Sequence, residues 1–168
     1  MSFDVMLQSS LSSPRNAAMA VFVLSLATIA GAWGFELIGG YWPCPLCLKQ
    51  RWAYYSVVPL SLVLVIIASP DRKSLVRWGL LLCGLAMLAN AALGVYHSGV
   101  EWKLWAGPQT CAGGAGLSGG LPDLSNTRVV SCDEAQWRFI GLSFAGWNVI
   151  VSLIIAVAAL YGARGRSL

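Results

Sequence analysis

Four long apolar stretches, separated by short polar segments, make up most of this chain. They run from about Ala17 to Ile38, Trp52 to Ser69, Trp78 to Tyr96 and Phe139 to Tyr161. A helix needs about 20 mostly apolar residues to cross a hydrocarbon layer ~30 Å thick, and each stretch is near that length. The apolar positions do not gather on one face, as expected where a helix meets lipid as well as protein. Open sheet edges are excluded in lipid, because their backbone groups would lack partners. The pattern predicts an all-α integral membrane protein, a four-transmembrane-helix bundle forming a single membrane domain over residues 1–168. The expected spans are about 17–38, 52–69, 78–96 and 139–161. Two loops, about 39–51 and 97–138, then lie on the side opposite both termini. Pro59 falls inside the second span, where neighbouring groups can satisfy the freed carbonyl. Glu36, Asn90 and Asn148 stand out as polar positions within the apolar stretches.

Composition supports this reading. The chain is 57% hydrophobic and 11% charged, whereas a soluble domain is roughly 25% charged. Too few polar side chains are present to cover a soluble globule, so a lipid bilayer is the expected surrounding. The net charge is +4 without a basic tract, so nucleic acid is not an expected partner. Arg15, Arg72, Lys73, Arg77, Arg164 and Arg166 fall on the side of the termini. Lys49, Arg51, Lys103, Arg128 and Arg138 fall opposite, most of them spread along the long second loop. The denser side faces the cytoplasm by the positive-inside rule. Tryptophans near the predicted helix ends, among them Trp42, Trp52, Trp78, Trp102 and Trp105, suit an interfacial aromatic belt. Ala30-Gly31-Ala32 resembles a signal-peptide cleavage site, but the apolar run continues to Ile38, which favours a retained helix. Cys44 lies outside the cytoplasm in either case.

Four of the five cysteines fall in the two outward loops: Cys44 and Cys47 in the first, Cys111 and Cys132 in the second. Disulfides persist in oxidising compartments and are rare in the cytosol, so this distribution points to two redox couples. Cys83 lies mid-span and is read as a packing residue. A tetrahedral zinc site of four cysteines is disfavoured, because zinc ribbons use two close Cys-x-x-Cys knuckles and the second pair here is widely split. No metal site is read. A loop staple suits the second pair, where a disulfide contributes about 3 kcal/mol. It suits Cys44-Pro45-Leu46-Cys47 poorly, because so small a ring constrains little and is easily reduced. Cys47 is expected at or just before the start of the second helix. The helix dipole and Arg51, four positions on, then favour its thiolate. The second loop is rich in glycine after Cys111, at Gly113, Gly114, Gly116, Gly119 and Gly120, which allows movement or approach there. Glu101-Trp102-Lys103-Leu104-Trp105 is either an amphipathic surface segment or a loop with aromatic anchors.

Pro43-Cys44-Pro45-Leu46-Cys47 with Arg51, Gly94-Val95-Tyr96-His97, Cys111, and the run Cys132-Asp133-Glu134-Ala135-Gln136-Trp137-Arg138-Phe139 together resemble the disulfide bond formation protein B family. The likeness spans about Ala17 to Tyr161. The resemblance implies a quinone-dependent thiol oxidase of the bacterial inner membrane, multi-pass, with cytoplasmic termini and periplasmic redox cysteines. It implies that Cys111 exchanges with a periplasmic DsbA-like thioredoxin-fold protein and that Cys132 is its partner. Cys44 and Cys47 then reoxidise that pair, and the membrane quinone pool, ubiquinone or menaquinone, takes the electrons. Arg51, Cys47 and His97 are implied at the quinone, with Arg51 stabilising the Cys47 thiolate. The Cys111–Cys132 interval is shorter and richer in glycine than in the best-known family member, which bears on partner docking. Glu36 stands where glutamine is usual. A vitamin K epoxide reductase-like oxidase is the enzymatic alternative, but its cysteine pairs come in the reverse order. A disulfide-stapled four-span scaffold is the non-enzymatic alternative, and it leaves Cys44–Cys47 beside Arg51 without a role.

Overall fold

The computed structural model describes residues 13–111 and 130–165. Arg128, Arg166 and the glycines from Gly113 to Gly120 lie outside the described residues. Four helices among the described residues are long and apolar enough to cross a membrane. They are α1 (Pro14–Leu37), α2 (Pro45–Ile67), α3 (Lys73–Glu101) and α4 (Phe144–Arg164). A single 3₁₀ turn, Pro70–Arg72, joins α2 to α3, and another, Gln109–Cys111, follows α3.

Three helices are longer than the apolar stretches that announce them. Helix α2 begins at Pro45, because proline at the first helical position lacks only an N–H that is unpaired there anyway. The Cys-x-x-Cys motif therefore caps and opens the helix, where a loop was expected. Helix α3 continues past Tyr96 to Glu101, carrying His97 and Glu101 on one helical face one turn apart. Helix α4 starts later, at Phe144, after a two-residue antiparallel pairing of β1 (Arg138–Phe139) with β2 (Leu142–Ser143). Its turn places Ile140 and Gly141 at φ 53° and 78°, as a tight primed hairpin turn requires. Ser143 then caps α4 by accepting from the Gly146 N–H.

The core runs along the bundle axis through Val21, Val57, Leu80, Met87 and Ile155. Cys83 is fully buried in it, as a packing residue would be. Large apolar side chains on the outside of every helix, such as Val23, Leu62, Leu85 and Val157, stay exposed to meet lipid. Lipid tails are as apolar as leucine, so helices in a membrane gain most from close fit and hydrogen bonds. Both occur here. A Cβ placed at Gly162 would overlap Ala17 on α1, and one at Gly84 would overlap Leu160 on α4. Tyr54 of α2 donates to Asn148 Oδ1 at 2.7 Å, and Asn90 of α3 donates to Ser152 Oγ at 3.0 Å. The two spanning asparagines thus join a polar knot across α2, α3 and α4. At the other end Arg77 of α3 donates to the Ala163 carbonyl of α4 at 2.6 Å.

Gly162→Val is expected to destabilise the bundle by about 1–3 kcal/mol, the usual cost of overpacking. Gly34→Ala, where an added Cβ meets nothing within 4 Å, should leave thermal unfolding in detergent unchanged. Equal melting temperatures for the two variants would contradict the close α1–α4 contact.

Candidate functional site

All four loop cysteines gather at one end of the bundle. Cys44 is the N-cap of α2, and its sulfur accepts from the Cys47 N–H at 3.2 Å. This local geometry follows from Pro45 and from extended backbone at Cys44. The two sulfurs are 2.7 Å apart and unbonded, a dithiol poised to close. Cys111 and Cys132 form a disulfide. Cys44, Leu46, Val100, Cys111 and Cys132 make one small buried cluster, so the two pairs meet across the α2 start and the second loop. Ser131 donates to the Cys111 carbonyl at 3.2 Å and also to the Asp133 carboxylate. That second bond holds the Asp133 carboxyl below its ordinary range.

His97 reaches this cluster from α3. Its Nε2 lies 3.5 Å from the Cys44 sulfur, and its Nδ1 lies 2.9 Å from Gln50 Nε2. An amide nitrogen can only donate, so Nδ1 accepts and the ring proton sits on Nε2, toward Cys44. Glu101 Oε1 is 3.9 Å from the same Nε2, and its other oxygen accepts from the Ser143 hydroxyl. The Cys44 thiol is lowered to about 5 from 9.0, first by the hydrogen bond with Cys47, then by His97, against burial. The negative charge of the dithiol state therefore falls on Cys44 in this geometry, at the positive end of α2.

Arg51 lies elsewhere than its spacing from Cys47 suggests. Its guanidinium pairs with Glu36 of α1, donates to the Ala32 carbonyl at 3.2 Å and lies over the Trp33 ring at 5.4 Å. A largely buried cation with a carboxylate in reach pairs with it, because an unpaired charge in a low-dielectric site is costly. Arg51 still lines the cavity that Cys44, Cys47 and His97 line. That cavity, ≈ 360 Å³, is lined by α1, α2, α4 and the segment from Val130 to Trp137 and is mainly apolar, with Trp147 and Phe35 in its wall.

Sequence reasoning missed Gln50 and Glu101 and left Glu36 without a role. Glu101 was detectable as an acid one turn beyond His97 at the end of an apolar helix. The Gln50–His97 and Arg51–Glu36 pairings cross between helices, and nothing local announces them.

A four-helix membrane bundle carrying a disulfide beside a dithiol defines a membrane thiol–disulfide oxidoreductase. The chain belongs to the DsbB family: the family model described as Disulfide bond formation protein DsbB matches residues 14–162. It is 26% identical over 169 residues to Disulfide bond formation protein B of Albidiferax ferrireducens, covering 95% of this chain and 93% of that protein. It is 29% identical over 150 residues to the protein of that name from Nitrosococcus oceani, covering 83% and 85%. An uncharacterized Rickettsia prowazekii protein, RP370, is 23% identical over 145 residues, covering 83% and 81%. No solved structure matches the chain. The protein is thus a multi-pass membrane disulfide oxidase with a partner thiol protein, and not a stapled scaffold.

Two outcomes follow from the site. The thiolate ultraviolet absorbance of reduced protein, taken as the difference from Cys44→Ala in metal-free buffer, should appear as pH rises through about 5. In Cys47→Ala it should appear only nearer the ordinary thiol range, because the principal stabilising hydrogen bond is gone; an unmoved midpoint would contradict that bond. Glu36→Ala leaves Arg51 buried without its carboxylate and should cost about 3 kcal/mol. Chemical denaturation of Glu36→Ala and of Glu36→Ala/Arg51→Met measures this, and the double variant should recover most of the loss.

Proposed function

We propose that this protein reoxidises a periplasmic DsbA-like dithiol protein and passes the electrons through Cys111–Cys132 and Cys44–Cys47 to a membrane quinone. The observation that carries the reading is the meeting of both pairs in one buried cluster, with the inner pair opening on an apolar cavity. A partner thiolate attacks Cys111, and Cys132 leaves as a thiolate. The second partner thiol resolves this mixed disulfide, so the partner leaves oxidised and Cys111–Cys132 is reduced. Cys132 then attacks the inner disulfide at Cys44, and Cys111 resolves the link. The outer disulfide is restored and the inner pair becomes a dithiol.

The cavity suits a quinone. Its wall is apolar, as a lipid-soluble ring and tail require, while Arg51 and the His97 Nε2–H supply donors for carbonyl oxygens. When bound, a quinone supplies a sink for two electrons and two protons. The chain's own residues prepare the delivery. His97 and the α2 N-terminus hold charge on Cys44, Gln50 holds the His97 ring from its Nδ1 side, and Glu36 with Trp33 holds Arg51 in the wall. The driving force matters, because a DsbA-type partner has a potential near −120 mV and each ~30 mV of mismatch costs about 1.4 kcal/mol. The cations Arg72, Lys73, Arg77 and Arg164 at the opposite end support an inner-membrane orientation with cytoplasmic termini and periplasmic cysteines.

The test is quinone-dependent oxidation of a reduced DsbA-like protein, run with ubiquinone and menaquinone analogues. Alanine at any of Cys44, Cys47, Cys111 or Cys132 should abolish turnover, and Cys83→Ser should not. A reduced partner that keeps only its attacking cysteine should accumulate a covalent complex through Cys111, with Cys132 released as the free thiol, because nothing then resolves the mixed disulfide. A complex linked through Cys44 would reverse the assigned order. Arg51→Ala should raise the apparent KM for quinone more than it lowers kcat, and wild-type kinetics there would remove Arg51 from the site.

A further inference from the structure

Three donors of a kind that soft metals prefer converge at the start of α2. The ligand atoms of Cys44, Cys47 and His97 all lie within 4.8 Å of one another. All three side chains line the cavity, and Cys44 and His97 are almost wholly buried, at 4% and 2% exposure. We propose that reduced Cys44 and Cys47, together with His97, form a binding site for a zinc-class divalent cation that exists only in the dithiol state.

The geometry suits such a cation. With Zn–S near 2.3 Å and Zn–N near 2.0–2.1 Å, tetrahedral ligation sets sulfur and nitrogen about 3.6 Å apart and two sulfurs about 3.8 Å apart. The Cys44 sulfur and His97 Nε2 are already 3.5 Å apart. The two sulfurs, at 2.7 Å, must open by about 1 Å to reach that tetrahedral spacing. Cys47 is half-buried at the cavity edge, so rotation of its side chain into that space supplies the opening. A ligating histidine keeps its orientation when its other ring nitrogen donates to a fixed partner. Gln50 stands there at 2.9 Å. Turning its amide over presents the carbonyl oxygen to Nδ1–H and frees Nε2 for the metal. The fourth position is left to water or another small ligand.

Charge and redox state make the site conditional. Two thiolates neutralise a divalent cation, and the thiol protons are released to solvent on binding. No electrons are exchanged. In the disulfide state the sulfurs carry no anionic donor, and the site ceases to exist. The outer pair takes no part, since Cys111 and Cys132 are bonded to each other. A bound cation would hold both inner sulfurs and so arrest the enzyme in its reduced form. The proposal is independent of which electron acceptor the enzyme uses.

Cobalt(II) and zinc(II), added to the detergent-solubilised full-length chain reduced with a phosphine, are the probes. One cobalt per chain should bind with the intense visible absorption of a tetrahedral thiolate complex, and zinc should displace it. The bands should be absent from the oxidised protein and from Cys44→Ser/Cys47→Ser, and present in Cys111→Ser/Cys132→Ser. Gln50→Leu is expected to weaken affinity by about tenfold, and His97→Ala by more than that. Where His97→Ala loses helicity, His97→Gln replaces it. Equal bands in the oxidised protein or in the double serine variant would overturn the site. So would unchanged affinity in a folded His97 variant, which would leave only a bare dithiol.

Discussion

The contact between the Cys44 sulfur and His97 is the interaction on which the functional end of the molecule depends. It joins the N-cap of one helix to the end of another, 53 positions away in sequence. The sulfur needs that neighbour because it is buried where few groups can stabilise charge. Backbone donation from Cys47 and the positive end of α2 act on the same atom. His97 in turn is held by Gln50 from α2, so the two helices lock each other through one imidazole. Any change in the packing of α2 against α3 is therefore felt at the sulfur.

The rest of the bundle is arranged to hold that junction still. Membrane helices have little hydrophobic reason to prefer one another over lipid, so specific contacts set their positions. The Tyr54–Asn148 and Asn90–Ser152 bonds fix α2, α3 and α4 near mid-height. Below them the glycine contacts of α4 with α1 and α3 bring the backbones close. Above them Arg51 ties α2 to α1 through Glu36, Ala32 and Trp33. Arg51 and Glu36 are thus partnered across helices, and both lie at the end of the bundle that holds the cavity.

The arrangement also separates two tasks. Cys111–Cys132 belongs to the loop side, where a water-soluble protein can be met, while Cys47 opens on an apolar space between helices. Cys44 belongs to both, as a member of the buried cysteine cluster and of the cavity lining. Its confinement with His97 is also what makes the reduced pair a candidate ligand set for a metal.

Much of this was legible in the chain. Four apolar runs determine four helices, because backbone groups in lipid must be satisfied within the segment. Cys-Pro-x-Cys beside an apolar run determines a redox pair near a helix start, because proline there is preorganised and the dipole favours thiolate. Pro43 to Cys47 with Arg51, Gly94 to His97, Cys111 and the run from Cys132 to Phe139 together mark the family without any coordinates. Tertiary structure decided what the local spacing could not. Arg51 lies one turn from Cys47 in sequence, yet it turns to Glu36, because a buried cation takes the nearest carboxylate rather than a sulfur on its own helix. The Cys44 thiol is lowered first by its hydrogen bond with Cys47 and then by an imidazole from α3, and nothing local announces that second neighbour. Sequence sets which groups exist and how far along a helix they stand. Which of them meet is set by how the helices cross, and that is a property of packing across tens of residues.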